Sequence, residues 1–274
     1  MGGRIADVPS IWSNCLAGWI LSGGGGVGAF LIFCAGVTSL YFGGILLNDA
    51  CDERFDALTH PRRPIPSGTI NLQVVWLLSL FLMSTGALAL VPLGKDTAIL
   101  AVLLIGAIVL FNLLHRAVAY GYLLIIPCRF LLFLSAGSVA ADGISGLTIW
   151  SALALSSYAF AQLIIVNTKY RYTNFYIGML PLFAVPLLLA WIANGPGYQL
   201  SAALAGFCYL FWLGCCLFPF FLSSSHNRWI TSNHFQAGYV VLDFLLVGGT
   251  TLYLLIFLLL FFCVILLYLI FPRF

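Results

Sequence analysis

The chain has 274 residues, of which 62% are hydrophobic and 7% charged, with a mean hydropathy of +1.09 and a formal net charge of +3. Soluble domains run about 45–50% apolar and about 25% charged, so a chain this poor in charge cannot cover itself in water, and soluble globular, disordered and nucleic-acid-binding readings all fall. The surplus of 11 Lys and Arg over 8 Asp and Glu is too small to point to a polyanionic partner, so what matters is where those charges sit.

A helix needs ~20 apolar residues to cross a bilayer, with a range of about 17–25. On that measure nine spans are predicted, at about 10–22, 27–47, 72–92, 97–114, 119–139, 149–167, 175–193, 199–221 and 237–268. The last run reads as one tilted or protruding helix, with Gly248-Gly249 the break if it were two. One Arg before the first run and no convincing small-residue cleavage site argue against a removable signal peptide.

Nine spans divide the connections into two sets. On the N-terminal side fall Arg4, Arg54, Arg62, Arg63, Arg116, Lys169, Arg171 and Arg228, while the other side holds only Lys95 and Arg273 and Arg129 lies within a span. Eight against two is a positive-inside bias that places the N-terminus and the even-numbered connections in the cytoplasm. The opposite connections are short turns, such as Gly23-Gly24-Gly25-Gly26 and Asn194-Gly195-Pro196-Gly197. Gly23 to Gly28 satisfies G-x-G-x-x-G, but it joins two membrane helices and lacks the strand that a dinucleotide site requires. The eight cysteines are scattered through apolar runs, with no metal-like spacing and no disulfide framework, and read as buried small hydrophobes.

Span two ends in Asn48-Asp49-Ala50-Cys51-Asp52-Glu53-Arg54-Phe55-Asp56. At about 100° per residue, the i, i+3, i+7 spacing puts Asp49, Asp52 and Asp56 within an arc of about 60°, with Asn48 at its edge. Three carboxylates on one face repel, and near a bilayer each is expensive unless paired. Hard oxygen ligands suit Mg²⁺, which typically bridges one or two carboxylates to substrate phosphates. A solvated acidic helix end is the competing reading, disfavoured because helix C-termini repel acids.

The string Asn48-Asp49-x-x-Asp52-x-x-x-Asp56, followed by Arg62-Arg63-Pro64-Ile65-Pro66-Ser67-Gly68, resembles the NDxxDxxxD…RPIPSG signature of the UbiA superfamily of intramembrane prenyltransferases. The opening Val8-Pro9-Ser10-Ile11-Trp12-Ser13-Asn14-Cys15-Leu16-Ala17-Gly18-Trp19 is also similar to that family's first helix. The resemblance implies one all-α polytopic membrane domain, nine helices around a central cavity with a cytoplasmic cap. It further implies Asp49, Asp52 and Asp56 as ligands of Mg²⁺, and ionisation of an isoprenyl diphosphate where water is excluded. Arg62 and Arg63, ahead of a proline-stiffened turn, are then expected to grip diphosphate under the cap or else to anchor the membrane surface.

Phe111-Asn112-Leu113-Leu114-His115-Arg116 and Pro127-Cys128-Arg129 resemble the EboC-like branch of the superfamily, and Asn112 and Arg129 are taken as substrate-binding candidates. Members usually carry a second motif after span six, often D-T-x-Y-A-x-x-D-x-x-x-D. The matching stretch here is Asn167-Thr168-Lys169-Tyr170-Arg171-Tyr172-Thr173-Asn174, with Gly178 in the last position, and it has none of the aspartates. On a continued helix Asn167, Arg171 and Asn174 share a face. An Arg between two amides is a poor cation site and a good diphosphate grip, so one Mg²⁺ site is expected, with Arg171 and Lys169 standing in for the second.

Arg129 and Asp243 lie inside spans, where an ionisable group is a functional candidate, and a structural Arg129–Asp243 pair is one expectation. His60, His115, His226 and His234 lack metal-like spacing; a loop cap at His60 and interfacial roles for the others are expected. Tyr41, Phe42, Phe111, Tyr158, Tyr170 and Tyr172 are candidates to line a cavity and stabilise a carbocation. Three functions follow: a prenyltransferase with a small apolar or aromatic acceptor, a terpene cyclase of the same superfamily whose substrate supplies its own nucleophile, and a non-catalytic lipid carrier. The intact Asp49, Asp52 and Asp56 weigh against the carrier.

Overall fold

The computed structural model describes residues 5–167, 173–193, 199–222, 228–248 and 251–270; for 173–177, 199–201, 219–222, 228–232 and 251 only the backbone is described. Regular structure among the described residues is entirely helical: α1 Val8–Leu21, α2 Val27–Cys51, the short α3 Glu53–Thr59, α4 Leu72–Leu90, α5 Lys95–Leu114, α6 Ile125–Ser138, α7 Gly146–Asn167, α8 Thr173–Ala193, α9 Gln199–Leu222, α10 Arg228–Val247 and α11 Thr251–Ile270. Among the described residues six segments are long and apolar enough to cross a membrane, at 27–51, 72–93, 95–114, 121–138, 146–167 and 252–270. A helix satisfies its own backbone donors and acceptors, which hydrocarbon cannot do for it. The protein is therefore an integral membrane protein, with Leu77, Phe81, Val102 and Leu259 among the side chains exposed on its outside.

The last apolar run departs from expectation. It is two helices instead of one over 237–268, because α10 ends at Val247 and Gly248 turns to φ 55°, a left-handed backbone that favours glycine. The Gly248 amide donates to the Phe244 carbonyl at 2.8 Å and closes α10. Helices α10 and α11 then pack on each other and on α1. The far end of α11 meets the beginning of α1, where the Tyr268 hydroxyl donates to Asp7.

Small residues let the helices approach closely. In α2 and α4 a Cβ built on Gly86 would sit 2.7 Å from the Gly36 carbonyl oxygen and 2.7 Å from Leu40 Cγ. Ser79 donates to the Gly43 carbonyl at 2.8 Å and Ser39 to the Leu82 carbonyl at 2.8 Å across the same contact. At one end of the bundle the Gly23-Gly24-Gly25 turn, all at positive φ, accepts a bond at the Gly24 carbonyl from the Ala141 amide, at 2.8 Å. These tight turns close that end, and the polar residues lie at the other.

Gly86→Val should lower the thermal unfolding midpoint in detergent, a loss of about 1–3 kcal/mol from overpacking against backbone. Gly106→Ala, where a Cβ meets nothing within 4 Å, should hold or raise it. Equal midpoints for Gly86→Val and the parent protein would show that close backbone approach does not fix α2 on α4.

Candidate active site

The ends of six long helices surround a cavity of about 980 Å³. Asp7 lies just before α1, Asn48 and Asp52 close α2, Asn112, His115 and Arg116 close α5, Tyr122 precedes α6, Asn167 ends α7 and Ile270 ends α11. Arg63 enters from the loop after α3. The wall below is apolar, built from Ile11, Val37, Leu40, Leu104, Ile108 and Leu132.

Helix α2 stops at Cys51, yet Asp52 keeps φ −82° and ψ −3°, and the chain continues its helical course. The Asp52 amide donates to the Asn48 carbonyl at 2.9 Å and the Asp56 amide to the Asp52 carbonyl at 2.8 Å. Asp52 and Asp56 are buried, at 4% and 3% exposure. Asp49 is half-buried, and of the three aspartates Asp52 is the one that lines the cavity.

Each buried carboxylate meets a guanidinium. Arg116 binds Asp52 in bidentate fashion, Nε to Oδ1 at 2.5 Å and Nη2 to Oδ2 at 2.7 Å, while its guanidinium lies 3.9 Å from the centre of the Phe55 ring. That hydrogen bonding raises the Arg116 pKa above its ordinary value against the opposing effect of partial burial, so the group stays charged. Arg63 Nη1 donates to Asp56 Oδ2 at 2.5 Å. Its loop is folded on itself: the Ser67 amide donates to the Arg63 carbonyl at 2.9 Å and the Ile70 amide to the Pro64 carbonyl at 3.0 Å. His115 completes the mouth, with Nδ1 next to the Phe111 and Asn112 carbonyls at 3.1 and 3.2 Å and Nε2 at 3.4 Å from Asp52 Oδ1. A proton on Nδ1 would bond to those carbonyls and leave Nε2 toward Asp52 and Asn48.

The donor set suits a hard divalent cation in one respect and is pre-empted in another. Asp56 Oδ1 is buried without a hydrogen-bond partner, whereas both oxygens of Asp52 are held by Arg116. Among the described residues no three His, Cys, Asp or Glu side chains gather as a ligand set. Mg²⁺ needs only one or two protein carboxylates, with phosphate and water oxygens completing its shell, so the residues fit a metal that arrives with a phosphate ligand.

A second polar layer lies deeper. Arg129, on α6, donates from Nη1 to Asn14 Oδ1 at 2.6 Å and from Nη2 to Gln236 Oε1 at 2.9 Å, with its guanidinium 3.7 Å from the centre of the Tyr239 ring. Asp243 is fully buried and accepts at Oδ2 from Ser13 and from Asn14 Nδ2, the latter at 2.6 Å. The direct Arg129–Asp243 pair is therefore replaced by a relay, with the Asn14 amide between the two charges.

Of the residues singled out from sequence, Asn48, Asp52, Arg63, Asn112, Arg129 and Asn167 line the cavity. Arg62 is exposed and outside it, and Asp56 stands behind Arg63. Lys169, Tyr170, Arg171 and Tyr172 fall outside the described residues, as does the side chain of Asn174 in the first turn of α8. Tyr41 and Phe111 reach the cavity, but Tyr158 is core, donating to the Phe235 carbonyl at 2.9 Å. His115, Arg116, Asp7, Gln162, Gln236 and Tyr239 were missed as site residues. The Asn112 and Arg116 pair at i, i+4 was the legible signal for the α5 end; nothing local marked the α10 residues.

A model of the UbiA prenyltransferase family matches residues 11–182, more than half of the chain. The protein belongs to the UbiA prenyltransferase family. No curated protein sequence matches it. The solved structure of a digeranylgeranylglyceryl phosphate synthase is similar at a TM-score of 0.62 and 16% identity, over 90% of this chain and 98% of that one. The apo structure of a UbiA homologue from Aeropyrum pernix K1 is similar at a TM-score of 0.67 and 12% identity, over 86% and 94%. Identities this low show the fold alone, and they extend the UbiA fold across most of the chain, past the end of the family match.

Arg116→Ala should destabilise the protein by about 1–3 kcal/mol, since it strands the buried Asp52 carboxylate while a half-exposed guanidinium contributes less than a buried one. Arg116→Lys should recover only part of this, because an ammonium cannot reproduce the bidentate contact. Thermal denaturation in detergent measures both, and a full recovery by lysine would reduce the pair to simple charge.

Proposed function

We propose that the protein is a Mg²⁺-dependent prenyltransferase that ionises an isoprenyl diphosphate at the cavity mouth and transfers the prenyl group to an acceptor held inside. The observation that carries the reading is the pairing of two buried aspartates with two arginines at the end of a 980 Å³ cavity whose deeper wall is apolar. Family membership supports prenyl transfer as the reaction class. The positive-inside bias of the connections supports a cytoplasmic mouth.

Asp49, Asp52 and Asp56 are the proposed metal ligands, with Asn48 beside them. When bound, Mg²⁺ supplies positive charge against the departing diphosphate. Arg63 and Arg116 exchange their carboxylates for diphosphate oxygens, which guanidinium groups bind in a fork at fixed charge. Arg62, Lys169 and Arg171, with Asn167, Tyr170 and Asn174, are proposed to bind the diphosphate, Arg171 and Lys169 standing in for a second metal site. The apolar wall holds the prenyl chain away from water. In the transfer the allylic C–O bond breaks with its electron pair leaving on the diphosphate. An electron pair of the acceptor forms the new bond, and the proton the acceptor loses leaves on the diphosphate.

Incubation of the purified protein with Mg²⁺ and farnesyl or geranylgeranyl diphosphate, with and without candidate acceptors, tests the reading. Diphosphate release should fall about a hundredfold or more in Asp52→Asn and Asp56→Asn, and should stop when Mg²⁺ is chelated. A cyclic hydrocarbon or terpene alcohol formed without acceptor, and lost in Asp49→Ala, would establish a cyclase instead. A protein that never releases diphosphate from any isoprenoid would be a carrier.

A further inference from the structure

The two carboxylates paired at the mouth are not equally available. Asp56 gives one oxygen to Arg63, and among the described residues its buried Oδ1 has no hydrogen-bond partner. Asp52 gives both oxygens to Arg116, Oδ1 to Nε and Oδ2 to Nη2, and His115 Nε2 stands 3.4 Å from the same Oδ1. A cation that reaches Asp52 must therefore displace the guanidinium, because no oxygen is left over for it to share. Guanidinium does not give up its charge, so it leaves a carboxylate most cheaply for another anion.

Arg116 is placed to make that exchange. Its side chain is 39% exposed and lines the cavity, and the Phe55 ring, 3.9 Å from its guanidinium, holds the cation by its face and claims none of its donors. The backbone that carries it is closed by its own turns: the His115 amide donates to the Phe111 carbonyl at 2.9 Å, Ala117 to Leu114 at 3.0 Å and Gly121 to Val118 at 2.9 Å. A Cβ built on Gly121 would stand 2.7 Å from the His115 carbonyl oxygen, which shows how compact this turn is. The exchange calls on the side chain and leaves the helix end where it is.

We infer that Arg116 is a latch on the metal site: in the resting protein it withholds Asp52 from a divalent cation, and a diphosphate opens the site by drawing the guanidinium onto its own oxygens. The latch rests on the metal and diphosphate reading above and adds an order of assembly to it. A metal alone is held weakly, through Asp56, and gains Asp52 when diphosphate is present. Such coupling is reciprocal, so the metal tightens diphosphate by the same factor. When diphosphate departs Arg116 returns to Asp52 and the metal is released with it, so the buried carboxylate always has a positive partner.

Mn²⁺ in place of Mg²⁺, its bound fraction read by electron paramagnetic resonance on the full chain in detergent, tests the latch with no substrate turning over. Without diphosphate the parent protein should bind Mn²⁺ weakly, and Asp52→Asn should bind it equally well. Arg116→Gln should bind Mn²⁺ at least about tenfold more tightly, and adding Asp52→Asn to that variant should remove the gain. Arg116→Lys, which keeps the charge and loses the fork, should fall between the two and carries the test if Arg116→Gln does not fold. With metal chelated, inorganic diphosphate should bind Arg116→Gln at least about tenfold more weakly than the parent. Tight, Asp52-dependent Mn²⁺ binding by the parent alone, metal affinity unchanged in both Arg116 variants, or diphosphate binding indifferent to Arg116 would each overturn the latch and leave the transferase reading in place. A gain of metal in Arg116→Gln, in a protein that releases diphosphate from no isoprenoid, would uphold the latch and defeat the transferase reading.

Discussion

A carboxylate withdrawn from water at a membrane surface must find a positive partner, and the Asp52–Arg116 pair is where this protein meets that demand. The pair joins positions 64 residues apart, the end of α2 and the connection after α5. It also fixes what surrounds it. Phe55 lies under the Arg116 guanidinium, His115 is drawn to within 3.4 Å of Asp52, and the same turn of chain delivers Asp56 to Arg63. The mouth is thus a set of charges balanced within the protein, Asp52 against Arg116 and Asp56 against Arg63.

Hydropathy made the membrane bundle legible, since segments such as 27–51 and 146–167 are apolar over a bilayer's thickness. It failed at 237–268, where a continuous apolar run hides a reversal that depends on one glycine at positive φ. Composition does not record backbone handedness. The acidic string after Asn48 was readable because its chemistry is local, three aspartates within eight residues. What those acids touch was not, because Arg116 and His115 reach Asp52 only through the packing of α5 near α2. Arg116 looked like one more topological charge.

The deep layer was less legible still. Asn14, Arg129 and Gln236 come from α1, α6 and α10, and no sequence spacing relates them. Yet the reversal at Gly248 makes the layer intelligible. Because α10 and α11 pack separately against α1, α10 is free to turn Gln236, Tyr239 and Asp243, at i, i+3 and i+7, toward Asn14 and Arg129. A single long helix over 237–268 could not also have returned Tyr268 to Asp7 at the mouth.

The two layers relate differently to the family match. Asn48, Asp52, Asp56, Arg63, His115 and Arg116 at the mouth all fall within residues 11–182, the stretch that matches the family, whereas the deep layer straddles its end, with Ser13, Asn14 and Arg129 inside it and Gln236, Tyr239 and Asp243 beyond it. The matched stretch therefore covers the mouth of the cavity, and a helix outside it helps to hold Arg129 in place. The separation has a physical sense. The charges at the mouth are paired directly where water can enter, whereas Arg129, on the apolar side, is held by the neutral amides of Asn14 and Gln236 and by the Tyr239 ring, with Asp243 one amide away.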